Sequence, residues 1–517
     1  MVSETWGRRF AWLLLVAGIL ATLALQTLAP SEEVFWSGDG GLKNLMAKQF
    51  ARGVLHVDLR LTDKEWVREL WADGLHPGVH GDYMYDMGGK YYSVFPFPFP
   101  LVSAPFYALF GVRGYYVIPI VSLWVVWITL YLAMRRACID SWMTALLMVS
   151  FIFATPITLY SATFWEHTLG LALALGGIVY TLRHDDFEPG RVGPTLAGAA
   201  LGLAVWFRPE TLALIAVLLP AAFVWRRNAL GYRGWFLYSA ACVAAVSLFF
   251  AINVWIYGHP LGTHGIQMTS EEHAFTGMNA AFERFVSLAR LCARFAPTAS
   301  FAAFLLVALA ATKRLEKRAE YVYLLVVTVL FFPIMAFIVP NDGGFQLGPR
   351  FAFVMFPMFI LICAYAWRGI PRIRPLRIAL ICLLMATIVL GAKRSAFHET
   401  RWLADQYRNR VLPAYEFLAD RDETVVAVSR VEVTLELGGL MDRKDFFAAF
   451  DDEKLAKLLD GLRERHIDRF LFIAFGDESG EQDSPLRHDA AKPLAIEPLG
   501  RYGAHFYCYS VTIPPGA

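Results

Sequence analysis

Repeated apolar runs, most of about 17–25 residues, constrain this chain more than any other feature. A helical run of that length matches the hydrocarbon core of a bilayer, and helices satisfy their own backbone polar groups where water cannot. The runs read as spans are roughly 10–29, 114–134, 141–158, 166–182, 194–207, 210–225, 235–257, 296–312, 320–339, 351–367 and 376–392. Composition agrees. Of the 517 residues 57% are hydrophobic and 18% charged, whereas soluble chains carry about a quarter charged residues. The expected fold class is an α-helical polytopic membrane protein with about eleven transmembrane helices, and a soluble multi-domain protein is excluded.

One further run, 94–110, is long enough to span but carries Pro96, Pro98, Pro100 and Pro105. Each proline removes an N–H and clashes with the preceding turn, so the first half of this run is not expected as a regular lipid-facing helix. The basic residues decide its placement. With 94–110 re-entrant or interfacial, Arg8/Arg9, Arg135/Arg136, Arg183/Arg191, Arg226/Arg227/Arg233, Lys313/Arg314/Lys317/Arg318 and Arg368/Arg372/Arg374/Arg377 all fall on the cytoplasmic side. The outer loops keep only Arg208, Arg284, Arg290, Arg294 and Arg350. A crossing at 94–110 would invert every later loop and reverse that bias. The run at 10–29 follows Arg8/Arg9 and is about twice the length of a signal-peptide core, so it reads as an uncleaved first span.

This topology suits an inner (cytoplasmic) membrane and puts three segments on the periplasmic, extracytoplasmic side: 30–113, the 258–295 loop and a soluble tail. The division expected is a membrane domain over 1–393 and a small α/β domain over 394–517. In the tail, 423–433 (ETVVAVSRVEV), 470–475 and 506–513 read as strands, and 453–465 (EKLAKLLDGLRER) as an amphipathic helix. The net charge of +2 says nothing of partners, and nothing points to nucleic acid. The six cysteines lack CxxC or regular spacing and read as packing residues.

Ionisable groups at membrane depth are costly, which makes them functional candidates. Asp39, in Ser-Gly-Asp-Gly-Gly, lies just beyond the first span, and a helix-like run, 42–52, ends at Gly53. Asp39 either caps that helix or offers its carboxylate near the membrane surface. Glu166 and His167 open the fourth span after Trp165, either as a desolvated functional acid or as one favoured by the helix dipole. Arg208-Pro209-Glu210 interrupts two spans at their outer end, where an ion pair is functional or structural. His259, with His264 nearby, could ligate a metal, but no HxH or HExxH spacing supports that, and an ordinary loop accounts for both. Arg350 follows Gly348-Pro349, a fixed position suited to bidentate phosphate binding, or else to anchoring a helix at the headgroups. Arg290 and Arg294 lie on an amphipathic stretch, 282–295, expected on the outer surface.

Taken in order, these residues resemble the GT-C superfamily of membrane glycosyltransferases, of the protein O-mannosyltransferase and lipid A aminoarabinose transferase type. The likeness covers about 1–395. It rests on Gly38-Asp39 with Ala47 and Ala51-Arg52-Gly53, and on the proline-rich run from Gly89 through Pro96 and Pro105 to Gly111. It rests also on Glu166 after Thr155-Pro156, and on Gly348-Pro349-Arg350. The chain departs from the pattern in a lone Asp39 where relatives have an Asp-Glu pair, and in Glu-His where many have an aspartate before proline.

The resemblance implies an inverting glycosyltransferase that moves a sugar from a polyprenyl-phosphate-linked donor to a hydroxyl of a glycan, lipid or protein on the outer face. Asp39 is then the general base, Arg350 with Arg208 stabilises the leaving phosphate, and Glu166 orients the acceptor or Asp39. If the reaction needs a divalent metal, Glu166 binds it; no cofactor is otherwise expected and no dedicated metal site. Glu210, His167, His259, Lys90 and Tyr92 complete the substrate-binding candidates, with the aromatic segment 83–110 facing sugar and prenyl chain. Membrane lipids are the remaining partners. Competing readings are a lipid-linked glycan polymerase or ligase, which would not need Asp39, and a transporter, which would carry mid-span charges and repeated halves.

Overall fold

The computed structural model describes residues 2–29, 32–137, 139–182, 190–269, 277–311, 319–339, 341–344, 347–477, 480–481, 484–487, 494–503 and 505–514. Arg183, Lys313, Arg314, Lys317, Arg318 and Cys138 lie outside the described residues. The chain divides into two compact units, Met1–Gln26 with Ile118–Arg401 and Thr27–Val117 with Trp402–Ala517.

The protein is a mostly helical, multi-pass membrane protein. Among the described residues four stretches are long and apolar enough to cross a bilayer: Pro98–Arg136, Thr211–Tyr257, Glu320–Ile338 and Arg374–Ala419. Two bent pairs qualify together, Ser141–Phe153 with Pro156–Ala162 and Met278–Phe295 with Thr298–Val307. The Thr211–Tyr257 helix breaks at Gly231, where φ is 67°, and this break separates the two spans read at 210–225 and 235–257. The span read at 376–392 does not end there: helical conformation continues through Ala419.

In the unit built on Ile118–Arg401, small residues let helices meet at backbone distance, the usual device where lipid gives no hydrophobic drive between helices. On the Val192–Phe207 helix, a Cβ added at Gly198 would fall 1.9 Å from the Tyr238 carbonyl oxygen, and one at Gly202 2.5 Å from that of Cys242. Buried Arg226 ties two helices, donating Nε to the Thr181 carbonyl at 2.8 Å and pairing Nη1 with Glu320 at 3.2 Å.

The other unit contains a hairpin, β1 (Met84–Asp86) with β2 (Tyr91–Ser93), and a six-stranded mixed sheet. Its strands are β3 (Val425–Val428), β4 (Asp445–Ala448), β5 (Arg469–Asp477), β6 (Gly480–Glu481), β7 (Ala495–Tyr502) and β8 (Phe506–Thr512), in the order β4-β3-β5-β8-β7 with β6 paired to β5. β3 runs parallel to both β4 and β5, and β8 is antiparallel to β5 and β7. The crossovers from β3 to β4 and from β4 to β5 run in opposite directions along the sheet, so right-handed connections put their helices on opposite faces.

One face packs on Leu455, Leu458, Leu459 and Leu462 of the Asp452–Glu464 helix together with Val67, Leu70, Trp71 and Leu75, and Trp71 Nε1 donates to the Phe446 carbonyl at 2.9 Å. The other packs on Val411, Ala414, Leu418, Val433 and Val34. The segment 27–117 thus supplies part of both covering layers. The stretch read as one strand over 423–433 is a strand only to Val428. From Val431 to Glu436 it is helical, because Val433 fills the layer over the sheet and Val431 packs with Leu42 and Leu45 instead of extending the ladder.

The proline-rich run begins as a bend and becomes helical at Pro98, with Pro98 and Pro100 in the first turn, where no N–H donor is needed. That helix, Pro98–Phe110, has 13 residues and ends at Gly111, φ 58°. It rises only about 20 Å.

Candidate functional site

In the membrane unit, Glu166 occupies the residue before the His167–Thr181 helix, but its side chain makes no cap hydrogen bond. It turns instead to Arg208, whose Nη1 lies 3.1 Å from Glu166 Oε1. Arg208 ends the Val192–Phe207 helix in extended conformation, and Glu210 precedes the Thr211–Tyr257 helix. That two-residue spacing returns the Glu210 carboxylate to the same guanidinium. Burial opposes the charge on Arg208, but Glu210 and Glu166 outweigh it and raise its pKa. Such a buried triad depends on each member, since removing one leaves a charge uncompensated.

Gly170, one turn into the same helix, makes the approach of Arg208 feasible: a Cβ there would stand 2.8 Å from Arg208 Cγ. His167 is enclosed by rings, with centroids of Tyr160, Trp165 and Phe353 at 4.8, 5.2 and 5.6 Å.

Arg350 opens a short helical turn, Arg350–Ala352, after a loop with unusual backbone. Buried Leu347 has φ 52°, a conformation a branched residue keeps only when its surroundings hold it. Asn341 and Asp342 side chains accept from the N–H groups of Gly343 and Gly344, and Ser287 Oγ donates to Asp342 Oδ2 at 2.5 Å. Arg350 and Arg208 meet at a slot that they line with His167, Gly170, Glu210 and Phe353. Its volume, about 20 Å³, admits a group the size of water.

Beside it opens an apolar groove of about 330 Å³, lined by Leu212, Ala213, Ala216, Ile334, Ile338 and His264. Glu210 and Phe351 line both. Burial, then the charges of Arg208 and Arg350, push His264 down to about 4. It is therefore a neutral imidazole with both arginines in reach of its field. His259, the candidate favoured by sequence, caps a turn instead: its Nδ1 accepts from the Leu261 N–H at 3.2 Å.

The other unit holds Asp39, Lys90 and Tyr92. Asp39 stands in the first turn of the Gly38–Ala51 helix, whose N-cap is Ser37, so the alternative role of cap falls to a neighbour. Burial and then the Asp39 carboxylate drive the Tyr83 phenol above its ordinary range. One turn on from Asp39, buried Lys43 puts its ammonium 4.5 Å over the Phe95 ring. The i,i+4 spacing puts Lys43 and Asp39 on one face of that helix. Lys90 is exposed at the hairpin end and Tyr92 is buried opposite Tyr85. Among the described residues no group of three or more His, Cys, Asp or Glu is placed to hold a metal ion.

No protein-family model and no curated protein sequence matches the chain. Solved structures do. ArnT from Cupriavidus metallidurans, bound to undecaprenyl phosphate, superposes with a TM-score of 0.61 at 13% identity, covering 96% of this chain and 97% of that one. The archaeal oligosaccharyltransferase AglB from Archaeoglobus fulgidus, in complex with an inhibitory peptide and a dolichol-phosphate, gives 0.50 at 12% identity, over 89% and 69%. The chain has the GT-C fold. At these identities the likeness is one of architecture, and the chemistry of this chain must be argued from its own residues. In the membrane unit these provide two guanidinium groups balanced by two carboxylates, next to a groove that accepts hydrocarbon. An anion bearing a long apolar tail fits that pair of surfaces.

Proposed function

We propose that the protein is an inverting glycosyltransferase, moving a sugar from a polyprenyl-phosphate-linked donor to a hydroxyl of a glycan, lipid or protein on the extracytoplasmic face of the inner membrane. The eleven-span topology read from the basic residues sets that orientation. The observation that carries the reading is the slot of Arg208 and Arg350, which shares Glu210 and Phe351 with an apolar groove. The prenyl chain belongs with the groove, and the phosphate with the arginines at the mouth of the slot, whose interior admits only a group the size of water.

In the reaction the acceptor oxygen bonds to the anomeric carbon as the bond from that carbon to the phosphate oxygen breaks. The hydroxyl proton passes to Asp39, and the electron pair leaves with the carrier phosphate. Preorganised guanidinium groups stabilise the charge that grows there. Arg208, already neutralised by its two carboxylates, positions; Arg350 brings a second guanidinium to the slot. Glu166 fixes Arg208.

Purified protein tests this with two readouts, affinity for polyprenyl phosphate and transfer from lipid-linked sugars. Asp39→Asn should lower transfer by roughly 10²–10⁴-fold and leave carrier affinity unchanged; full transfer by a folded variant removes Asp39 as the base. Arg350→Ala should weaken carrier binding, and unchanged affinity removes the phosphate role.

A further inference from the structure

The Met278–Phe295 and Thr298–Val307 helices meet at 103°. The second runs into the bundle, burying Phe301 and Leu305. The first, set nearly square to it, therefore lies across the spans. Its inward face buries Ala281, Leu288, Cys292 and Phe295. Outward, Met278 and Phe282 are 69% and 66% exposed, and exposed Ala289 and Ala293 continue their stripe at helical spacing. Beside that stripe, Arg290 and Arg294 stand exposed one turn apart. Glu283 shares their side but sits two turns earlier, about 10 Å along the axis, too far to neutralise them both.

An exposed apolar stripe edged by arginines is the pattern of a helix lying in the plane of a membrane surface, apolar side chains at the acyl boundary and cations at phosphate level. We infer that the Met278–Phe295 helix seats on the bilayer and binds anionic lipid headgroups through Arg290 and Arg294. The same helix holds the loop that carries Arg350. Ser287 bonds Asp342, Arg284 Nε donates to the Ala336 carbonyl at 2.8 Å, and Leu291 packs where a Cβ on Gly344 would stand 2.3 Å from it. Headgroup binding thus acts on the element that fixes Arg350, giving the slot a lipid-sensitive support.

The test is native mass spectrometry of the full-length protein, comparing affinity for short-chain phosphatidylglycerol with that for phosphatidylcholine of the same chains. The wild type should prefer phosphatidylglycerol. Arg290→Ala and Arg294→Ala should each lose roughly 5-fold of that preference, and both together roughly 30-fold. Arg290→Lys with Arg294→Lys should keep most of it, since charge carries the effect; both positions are exposed, and this pair controls for folding. Equal affinity of the wild type for the two lipids overturns the inference. So does a double-alanine variant that prefers phosphatidylglycerol as the wild type does. Neither donor nor acceptor is present, so the result is independent of the glycosyl-transfer reading.

Discussion

Replacing Gly170 by alanine adds one methyl group against the root of the Arg208 side chain. The new Cβ would lie 2.8 Å from Arg208 Cγ and 3.4 Å from Arg208 Cβ, so the arginine must retreat by roughly half an ångström or more to reach ordinary contact. Both crowded atoms are next to the backbone, so rotating the far end of the chain cannot relieve them. The guanidinium is fixed by Glu166 at 3.1 Å and by Glu210, and it leaves that position. Losing one charge-assisted hydrogen bond costs about 1.5–3 kcal/mol, on the order of a 10- to 100-fold weaker affinity for polyprenyl phosphate.

The fold should lose less than that, because alanine inside a helix is favoured over glycine by about 0.5–1 kcal/mol and offsets part of the cost of the broken ion pair. Measured side by side in detergent, the variant should therefore bind carrier poorly and melt only slightly earlier than wild type. A variant that binds as tightly as wild type would refute the claim that Gly170 sets the position of Arg208.

Gly41→Ala should act on stability alone. Its Cβ would fall 1.8 Å from the Leu435 carbonyl oxygen, and backbone cannot swing aside, so a loss of about 1–3 kcal/mol or more is expected as a lower melting temperature and faster proteolysis after residue 402; an unchanged melting temperature contradicts that packing. Glu436, buried beside Arg410, is pushed up to about 8 by burial, against Arg410 and with Glu432. The folded state then holds a proton that the unfolded state has released between about 4.5 and 8, so stability is greatest at the acid end of that window and falls as pH rises through it. Glu436→Gln should flatten this slope in hydrogen exchange of β3 amides. An identical slope in wild type and variant would show that Glu436 is ionised throughout.

Hydropathy is a local property, and it made the membrane class and the Gly231 break between two apolar arms legible. The pairing of Glu166 with Arg208 was not: 42 residues separate them, and nothing in either local sequence fixes a partner. Sequence named His259, in Tyr-Gly-His-Pro, with His264 nearby, and an ordinary loop accounted for both; in the structure His259 closes a turn. His264 lines the groove because the short Gly262–Thr269 helix turns it inward, a tertiary outcome. In 431–433 the β-branched residues argued for strand, but packing decided for helix.

The layered sheet has a consequence for synthesis. Val34, Val67, Leu70 and Trp71 emerge early, and the strands they cover are made only after Ile118–Arg401 has been translated and inserted. At ordinary elongation rates that interval is on the order of tens of seconds. Throughout it a stretch of apolar side chains has no partner, so biogenesis requires a chaperone or the membrane surface itself to shield them until the C-terminus arrives.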